Sequence, residues 1–272
     1  MRRGRTVHYS PSRQRQLCRG APAAVSRSES RVTTILFDLD GTLIESRMHL
    51  FLPAYYDGLA ECVRDLMGRE SFITHLRRAT RAMIENDGTA TNEEVFNRFF
   101  YPLAGRTREE LQPVFERYYR EDYPALRALT ENIPLARQTV QCARDLGYRV
   151  ALATNPLFPA TAIFQRIHWA GLHESDFEAV TTYENSRACK PNPLYYRNLL
   201  DSLGCCASEC VLIGDEEWDM VARELGIRTF LVRSSATQRR PIQTPPVWEG
   251  DLAAFTHLLR RLRDGSHPET AG

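Results

Sequence analysis

Lysine is almost missing from this chain: Lys190 stands alone against 34 arginines. Other shortages exclude whole classes of protein. No apolar run reaches the roughly 18 residues that a bilayer-crossing helix needs, so no membrane-spanning helix is expected. The seven cysteines (18, 62, 142, 189, 205, 206 and 210) form an odd, scattered set. They include no CxxC pair and no His partner at zinc-finger spacing, so they read as reduced thiols of a cytoplasmic protein.

What is present suits a folded, water-exposed chain. Its 272 residues, 43% hydrophobic and 25% charged, leave room for one large domain or a domain with an insert. Net charge is +1, but it is unevenly placed. Residues 1–31 carry eight Arg and one acid, Glu29, while the remainder carries 27 bases and 33 acids. That basic segment lacks apolar periodicity and is expected to stay disordered. It also lacks the apolar centre of a secretory signal. A solvated tail, a start codon placed before true translation near Val32, an anionic-surface or nucleic-acid tether and an organelle-targeting peptide all remain open. Nucleic acid is not the expected partner of the folded part, and residues 266–272 are expected to form a flexible tail.

Five apolar runs read as strands: Thr33–Phe37, Tyr148–Ala153, Phe177–Thr182, Cys210–Ile213 and Thr229–Val232. Short continuous runs suit strands buried on both faces. Helical patterns at Leu135–Leu146, Pro193–Leu203 and Asp219–Leu225 each end at a Gly in C-cap position. The alternation predicts a doubly wound, mostly parallel α/β sheet over 32–45 and 132–265, with ligands at the carboxyl ends of its strands. Residues 46–131 break the rhythm. They read as helices at Leu52–Met67, Ser71–Glu85, Thr91–Tyr101 and Thr107–Tyr119, with a Thr107–Glu110 capping box and no convincing strand. An all-helical insert placed there would cap the end of the first strand.

Asp38-Leu39-Asp40-Gly41-Thr42 closes the first strand. Residues two apart on an extended end point the same way, so both carboxylates can face one site. One can attack phosphorus while the other moves a proton to the leaving group and from water. An ordinary strand-to-turn junction, where Asp-Gly is common, is the plain alternative. Lys190 adds a compact ammonium suited to a single phosphate or carboxylate oxygen, at a position where the chain's preference for Arg did not act.

DxDGT after an apolar strand resembles the haloacid dehalogenase-like hydrolases. Three further signals of that family follow in order: Thr154 after the second strand, Lys190-Pro191, and Gly214-Asp215 with a second acid at Asp219. The resemblance spans residues 32–235. It implies a phosphatase that acts on a small phosphorylated metabolite through an aspartyl phosphate at Asp38, with Mg2+ as cofactor. The metal ligands it implies are the Asp38 side chain, the Asp40 carbonyl and the Asp215 side chain, with Asp219 acting through water or from behind them. Lys190 would neutralise Asp38 and the transferring group, and the Thr154 hydroxyl would hold phosphate oxygens. Glu216 and Glu217 remain alternatives to Asp219.

Asn155 is open between holding substrate phosphate, holding the Asp38 loop and merely stiffening the loop that follows it. Arg47 reads as a solvated hinge charge, and Trp169 and Trp218 as packing residues. Asp40 argues against the dehalogenase branch, whose reaction needs no proton donor there. The missing membrane helices argue against an ion pump. A phosphomutase, or a binding protein that kept the fold without turnover, are the competing readings.

Overall fold

A computed structural model describes residues 31–233 and 242–265. The expectations for residues 1–30 and 266–272, and Cys18, lie outside the described residues.

Strand β1 (Thr34–Phe37) has every side chain buried, and the alternation along it feeds two cores. Ile35 and Phe37 enter one apolar cluster and Leu36 the other, so the sheet is covered on both faces. Around β1, strands β4 (Arg149–Leu152), β5 (Ala179–Val180), β6 (Cys210–Gly214), β7 (Arg228–Val232) and β8 (Trp248–Gly250) form a six-stranded sheet in the order β5-β4-β1-β6-β7-β8. Every pairing in it is parallel. On one face Phe255 packs edge-on to Phe37 and Phe230, at centroid distances of 5.9 and 4.9 Å. It belongs to helix α9 (Leu252–Arg263), which buries Leu252, Phe255, Leu258, Leu259 and Leu262 along one stripe. Helix α5 (Ala136–Asp145) presents Ala136, Thr139, Val140 and Ala143 at the same spacing. The opposite face is covered by helix α7 (Pro193–Leu203) through Tyr195, Tyr196, Leu199 and Leu200.

The expected doubly wound sheet is therefore present, with three local differences. The third run is paired only over Ala179–Val180, because it lies at an edge and meets β4 alone. Strand β8 is a sixth, three-residue edge strand with partly exposed side chains, which left no apolar run to read. The helix expected over Asp219–Leu225 is α8 (Glu217–Met220), continued as a tight 3-10 turn at Val221–Leu225 that ends on Gly226.

Between β1 and α5 the chain makes a short ribbon and four helices. Strands β2 (Ile44–Ser46) and β3 (Thr130–Asn132) pair antiparallel, joining segments remote in sequence that carried no strand pattern. Arg47 and Glu131 form an exposed ion pair beside the ribbon. Helices α1 (Met48–Cys62), α2 (Arg69–Ile84), α3 (Asn92–Ala104) and α4 (Arg108–Glu121) follow β2. Thr91 and Thr107 cap α3 and α4 in full capping boxes with Glu94 and Glu110. Phe72, Phe96, Phe100 and Phe115 cluster between these helices. Tyr123 stacks on Trp169 of helix α6 (Ala160–Trp169) at 5.4 Å and ties the segment to the sheet layer. Trp169 is thus a packing residue, whereas Trp218, 40% exposed, is not.

Candidate active site

The order in which strands are added reverses at β1, which lies between β4 and β6. A crevice forms at such a switch point beyond the carboxyl ends of the strands. Asp38 is the first residue past β1. Its N–H donates to the Ile213 carbonyl at 2.9 Å, which holds it level with the end of β6. The chain then turns sharply, with the Leu39 carbonyl accepting from the N–H groups of Thr42, Leu43 and Ile44. Gly41 adopts φ +77° in this turn, and a Cβ there would stand 2.2 Å from Asp215 Oδ2. Glycine is required on both counts, by the left-handed backbone and by the carboxylate behind it.

Asp215 and Asp219 come from the end of β6 and from α8. Gly214 makes room for Asp219, since a Cβ at Gly214 would lie 2.2 Å from Asp219 Cγ. Asp38, Asp215 and Asp219 offer oxygens that all lie within 4.8 Å of one another. They are 6%, 1% and 0% exposed.

The cation among them is Lys190, 2% exposed. Its Nζ donates to Asp38 Oδ1 at 2.8 Å and to Asp219 Oδ1 at 2.5 Å. Burial disfavours the ammonium, but Asp219 and Asp38 outweigh it and hold the Lys190 pKa well above its ordinary value. Burial also raises the Asp219 carboxyl above its usual range, against the pull of Lys190. Asp219 Oδ2 accepts the Glu216 N–H at 3.2 Å, so both its oxygens are engaged. Glu217 faces elsewhere: its carboxylate accepts from the N–H groups of Gln243 and Thr244 and from Thr244 Oγ1. Of the three acids considered for the second-acid position, Asp219 is the one gathered with Asp38 and Lys190.

Thr154 follows β4 and is buried. Its carbonyl accepts from Thr181 Oγ1 at 2.7 Å and Tyr195 Oη at 3.0 Å. Asn155 Oδ1 accepts from the Lys190 main-chain N–H at 3.2 Å. It therefore steadies the Lys190 loop, a partner that sequence reasoning did not name. That loop is also held from above. Buried Asn92 donates to the Pro156 carbonyl at 3.1 Å and contacts Cys189 Sγ at 3.3 Å, and Cys189 Sγ reaches the Met83 carbonyl at 3.4 Å. The α2–α3 connection thus rests on the loops that carry Thr154 and Lys190.

Asp40 turns away from this cluster. Its Oδ1 accepts from Ser46 Oγ at 2.6 Å and pairs with Arg166. Arg166 is a residue that sequence reasoning missed. The available signal was its place in the α6 stripe with Ala162, Ile163 and Ile167, where a charge is out of pattern.

Comparison with known proteins agrees with this constellation. The profile of the haloacid dehalogenase-like hydrolases matches residues 32–225. A pyrophosphatase PpaX of Bacillus velezensis is 24% identical over 88% of this chain and 97% of its own. A phosphoglycolate phosphatase of Vibrio vulnificus is 23% identical over 79% and 90%. Among solved structures, a HAD phosphatase from Thermococcus onnurineus superposes with TM-score 0.54 at 21% identity, covering 84% of this chain and 98% of that one. The L-2-haloacid dehalogenase RSc1362 gives TM-score 0.51 at 14% identity, covering 85% and 100%. At these identities the solved structures establish the fold alone. With the family profile covering four of the sheet's six strands, the helical segment and every residue of the Asp38–Lys190–Asp215–Asp219 cluster, the chain belongs to the haloacid dehalogenase-like hydrolases.

Proposed function

We propose that this chain is a magnesium-dependent phosphatase that cleaves a small phosphate monoester through a phosphorylated Asp38. The observation that carries the reading is the single ammonium of the chain, Lys190 Nζ, donating to both Asp38 and Asp219 inside a buried carboxylate cluster. Structural ion pairs alone do not call for three buried carboxylates around one ammonium, because that arrangement leaves negative charge uncompensated.

The donor set fits magnesium, which takes oxygen ligands and keeps several waters. The Asp38 carboxylate, the Asp40 carbonyl and the Asp215 carboxylate would hold it, with Asp219 held back by Lys190. When bound, the metal supplies positive charge to the phosphoryl oxygens.

In this reading Asp38 attacks phosphorus and the ester P–O bond breaks. Asp40 gives its proton to the departing oxygen. Water then attacks the phosphorus of phospho-Asp38 and Asp40 takes the water proton, restoring Asp38 and releasing phosphate. Lys190 balances the charge on Asp38 and the transferring group, and the Thr154 hydroxyl holds phosphoryl oxygens. Residues 46–131 serve as the cap over a core of 32–45 and 132–265. A cavity of about 490 Å³ lies between α1–α4 and the loop after Thr154, lined by Tyr55, Phe96, Phe158 and Tyr183 among others. It offers room for the alcohol part of a small ester. The names of the pyrophosphatase and phosphoglycolate phosphatase relatives favour phosphoryl hydrolysis over dehalogenation.

The test is release of inorganic phosphate from an aryl phosphate with and without magnesium. Wild type should turn over only with the metal, and Asp38→Asn should be inactive. An Asp38→Asn protein that keeps the wild-type rate would remove Asp38 from the mechanism.

A further inference from the structure

Among the described residues Arg166 is the largest side chain to be fully buried, at 1% exposure. Its neighbours on α6, Ala162, Ile163 and Ile167, are the apolar residues such a stripe calls for. A buried guanidinium has five N–H donors to satisfy, and taking it out of water costs several kcal/mol. Here the protein offers it little. Nη2 pairs with Asp40 Oδ1, while Nε is buried without an acceptor in hydrogen-bond geometry. The flat faces are covered by two rings, Phe51 at 5.4 Å and Phe158 at 5.3 Å. They fix the plane of the fork and leave its edge as the usable surface. Burial alone lowers the Arg166 pKa to about 10, even with Asp38 opposing it.

Orienting Asp40 is an insufficient reason to retain this group. Ser46 Oγ already donates to the same Asp40 oxygen at 2.6 Å. Methionine would fill the stripe with none of the desolvation cost. An unsatisfied donor buried beside a site is explained most directly by a ligand that completes it. The place of Arg166 says which part of the ligand. It touches Asp40, the residue read as proton donor to the leaving oxygen, and so stands on the leaving-group side of phosphorus. Phe158, which covers one face of the guanidinium, also lines the 490 Å³ cavity. Burial is no objection to contact with substrate, because Asp38 and Lys190 are buried to a similar degree. Phe51, on the other face, belongs to α1, so the helical segment supplies one wall of the Arg166 slot.

Resting on the reading of Asp38 as nucleophile, we propose that Arg166 is a specificity-determining residue that binds an anionic group on the substrate's leaving group. A carboxylate or a second phosphate matches the planar fork, which grips two oxygens at once. The substrate class is then a phosphoryl compound whose leaving group is itself an anion.

The experiment compares kcat/KM for three substrates in the full chain with magnesium: 2-phosphoglycolate, pyrophosphate and a neutral aryl phosphate. Arg166→Met is expected to lower kcat/KM for whichever anionic substrate the wild type prefers by about 10- to 100-fold more than for the aryl phosphate, whose own loss reads the change at Asp40. Arg166→Lys, which keeps the charge and loses the fork, should fall between wild type and Arg166→Met on the anionic substrate. The two anionic arms separate carboxylate from phosphate recognition. An equal loss on all three substrates overturns the proposal and makes Arg166 a positioning residue for Asp40. So does a variant that folds and loses nothing. If Arg166→Met does not fold, a Lys variant with unchanged selectivity overturns the proposal equally. Wild type inactive on every arm, aryl phosphate included, sinks the nucleophile reading and this one with it.

Discussion

Replacing Lys190 by Met keeps most of the buried stem and removes the charge. In the native protein the ammonium donates to Asp38 at 2.8 Å and to Asp219 at 2.5 Å, and Asp215 completes a group whose oxygens lie within 4.8 Å. The substitution removes the one ammonium that donates to this group and leaves Asp38 and Asp219 without it in a buried setting. Breaking a buried pair by deleting one partner costs about 3–5 kcal/mol. In a folded unit of this size each kcal/mol moves the melting temperature by about 2–4 °C. Lys190→Met should therefore melt about 6–20 °C below wild type in a chelating buffer, followed by circular dichroism.

Magnesium turns this into a sharper test. A cation that binds only the folded state stabilises it by about 2.7 kcal/mol at a hundred times its Kd. In the variant it meets more uncompensated charge than in wild type. Saturating magnesium should thus raise the melting temperature of Lys190→Met by more than it raises that of wild type. Turnover of an aryl phosphate stays lower by about 10²–10³-fold, as for loss of one group that stabilises transition-state charge. Lys190→Arg should not restore it, because the buried ammonium bonds single oxygens of two carboxylates, which a larger planar guanidinium does not reproduce. Equal melting temperatures in chelator would refute the argument from burial and pairing. Equal magnesium shifts would refute the treatment of the three carboxylates as one electrostatic unit.

Gly41→Ala should weaken magnesium binding, read by calorimetric titration, and lower turnover by about tenfold or more. The left-handed backbone costs about 1–2 kcal/mol for a residue with a Cβ, and that Cβ meets Asp215 at 2.2 Å. Glu217→Gln should keep turnover within about threefold, since its carboxylate serves Gln243 and Thr244, whereas Asp219→Asn should lose it. Asn92→Leu leaves its buried partners unmatched and should cost about 1–3 kcal/mol, seen as a lower midpoint in urea unfolding. Burial pushes the Cys189 thiol up to about 12, so a thiol reagent should label it only after unfolding, while exposed Cys206 labels in the native protein.

Which parts of the fold were legible follows from where each residue's neighbours come from. Strands β1, β4, β6 and β7 are flanked on both sides, so nearly every side chain is apolar and the runs stand out. The edge strands β5 and β8 and the ribbon of β2 with β3 hold two or three residues each. Their pairing depends on tertiary placement rather than on composition. The Thr107–Glu110 capping box was readable because cap and partner lie three residues apart. Asp38 and Asp40 were readable as a pair for the same reason, but their shared orientation was not. The turn at Gly41 leaves Asp38 on Lys190 and swings the Asp40 carboxylate to Ser46 and Arg166. Asn155 was left among three roles and took another, because its Lys190 partner lies 35 residues away.

Lys190 and Arg166 put that limit in its clearest form. Both are cations buried at the site, and each touches a carboxylate of the same DxD segment. Lys190 was found because the chain's bias toward arginine made its one ammonium conspicuous. The same bias concealed Arg166 among 33 other arginines, and most of those in the described residues are exposed. Rarity is a property of the whole chain and can be counted, whereas burial is a property of the fold. The remaining trace of burial in the sequence is helical spacing, and it is weak for a single charged residue between Ile163 and Ile167. A guanidinium carried into the interior at a cost of several kcal/mol, with a donor still unspent, is for that reason more informative about this site than any surface arginine. It points at the leaving group, the part of the substrate on which the four family motifs are silent.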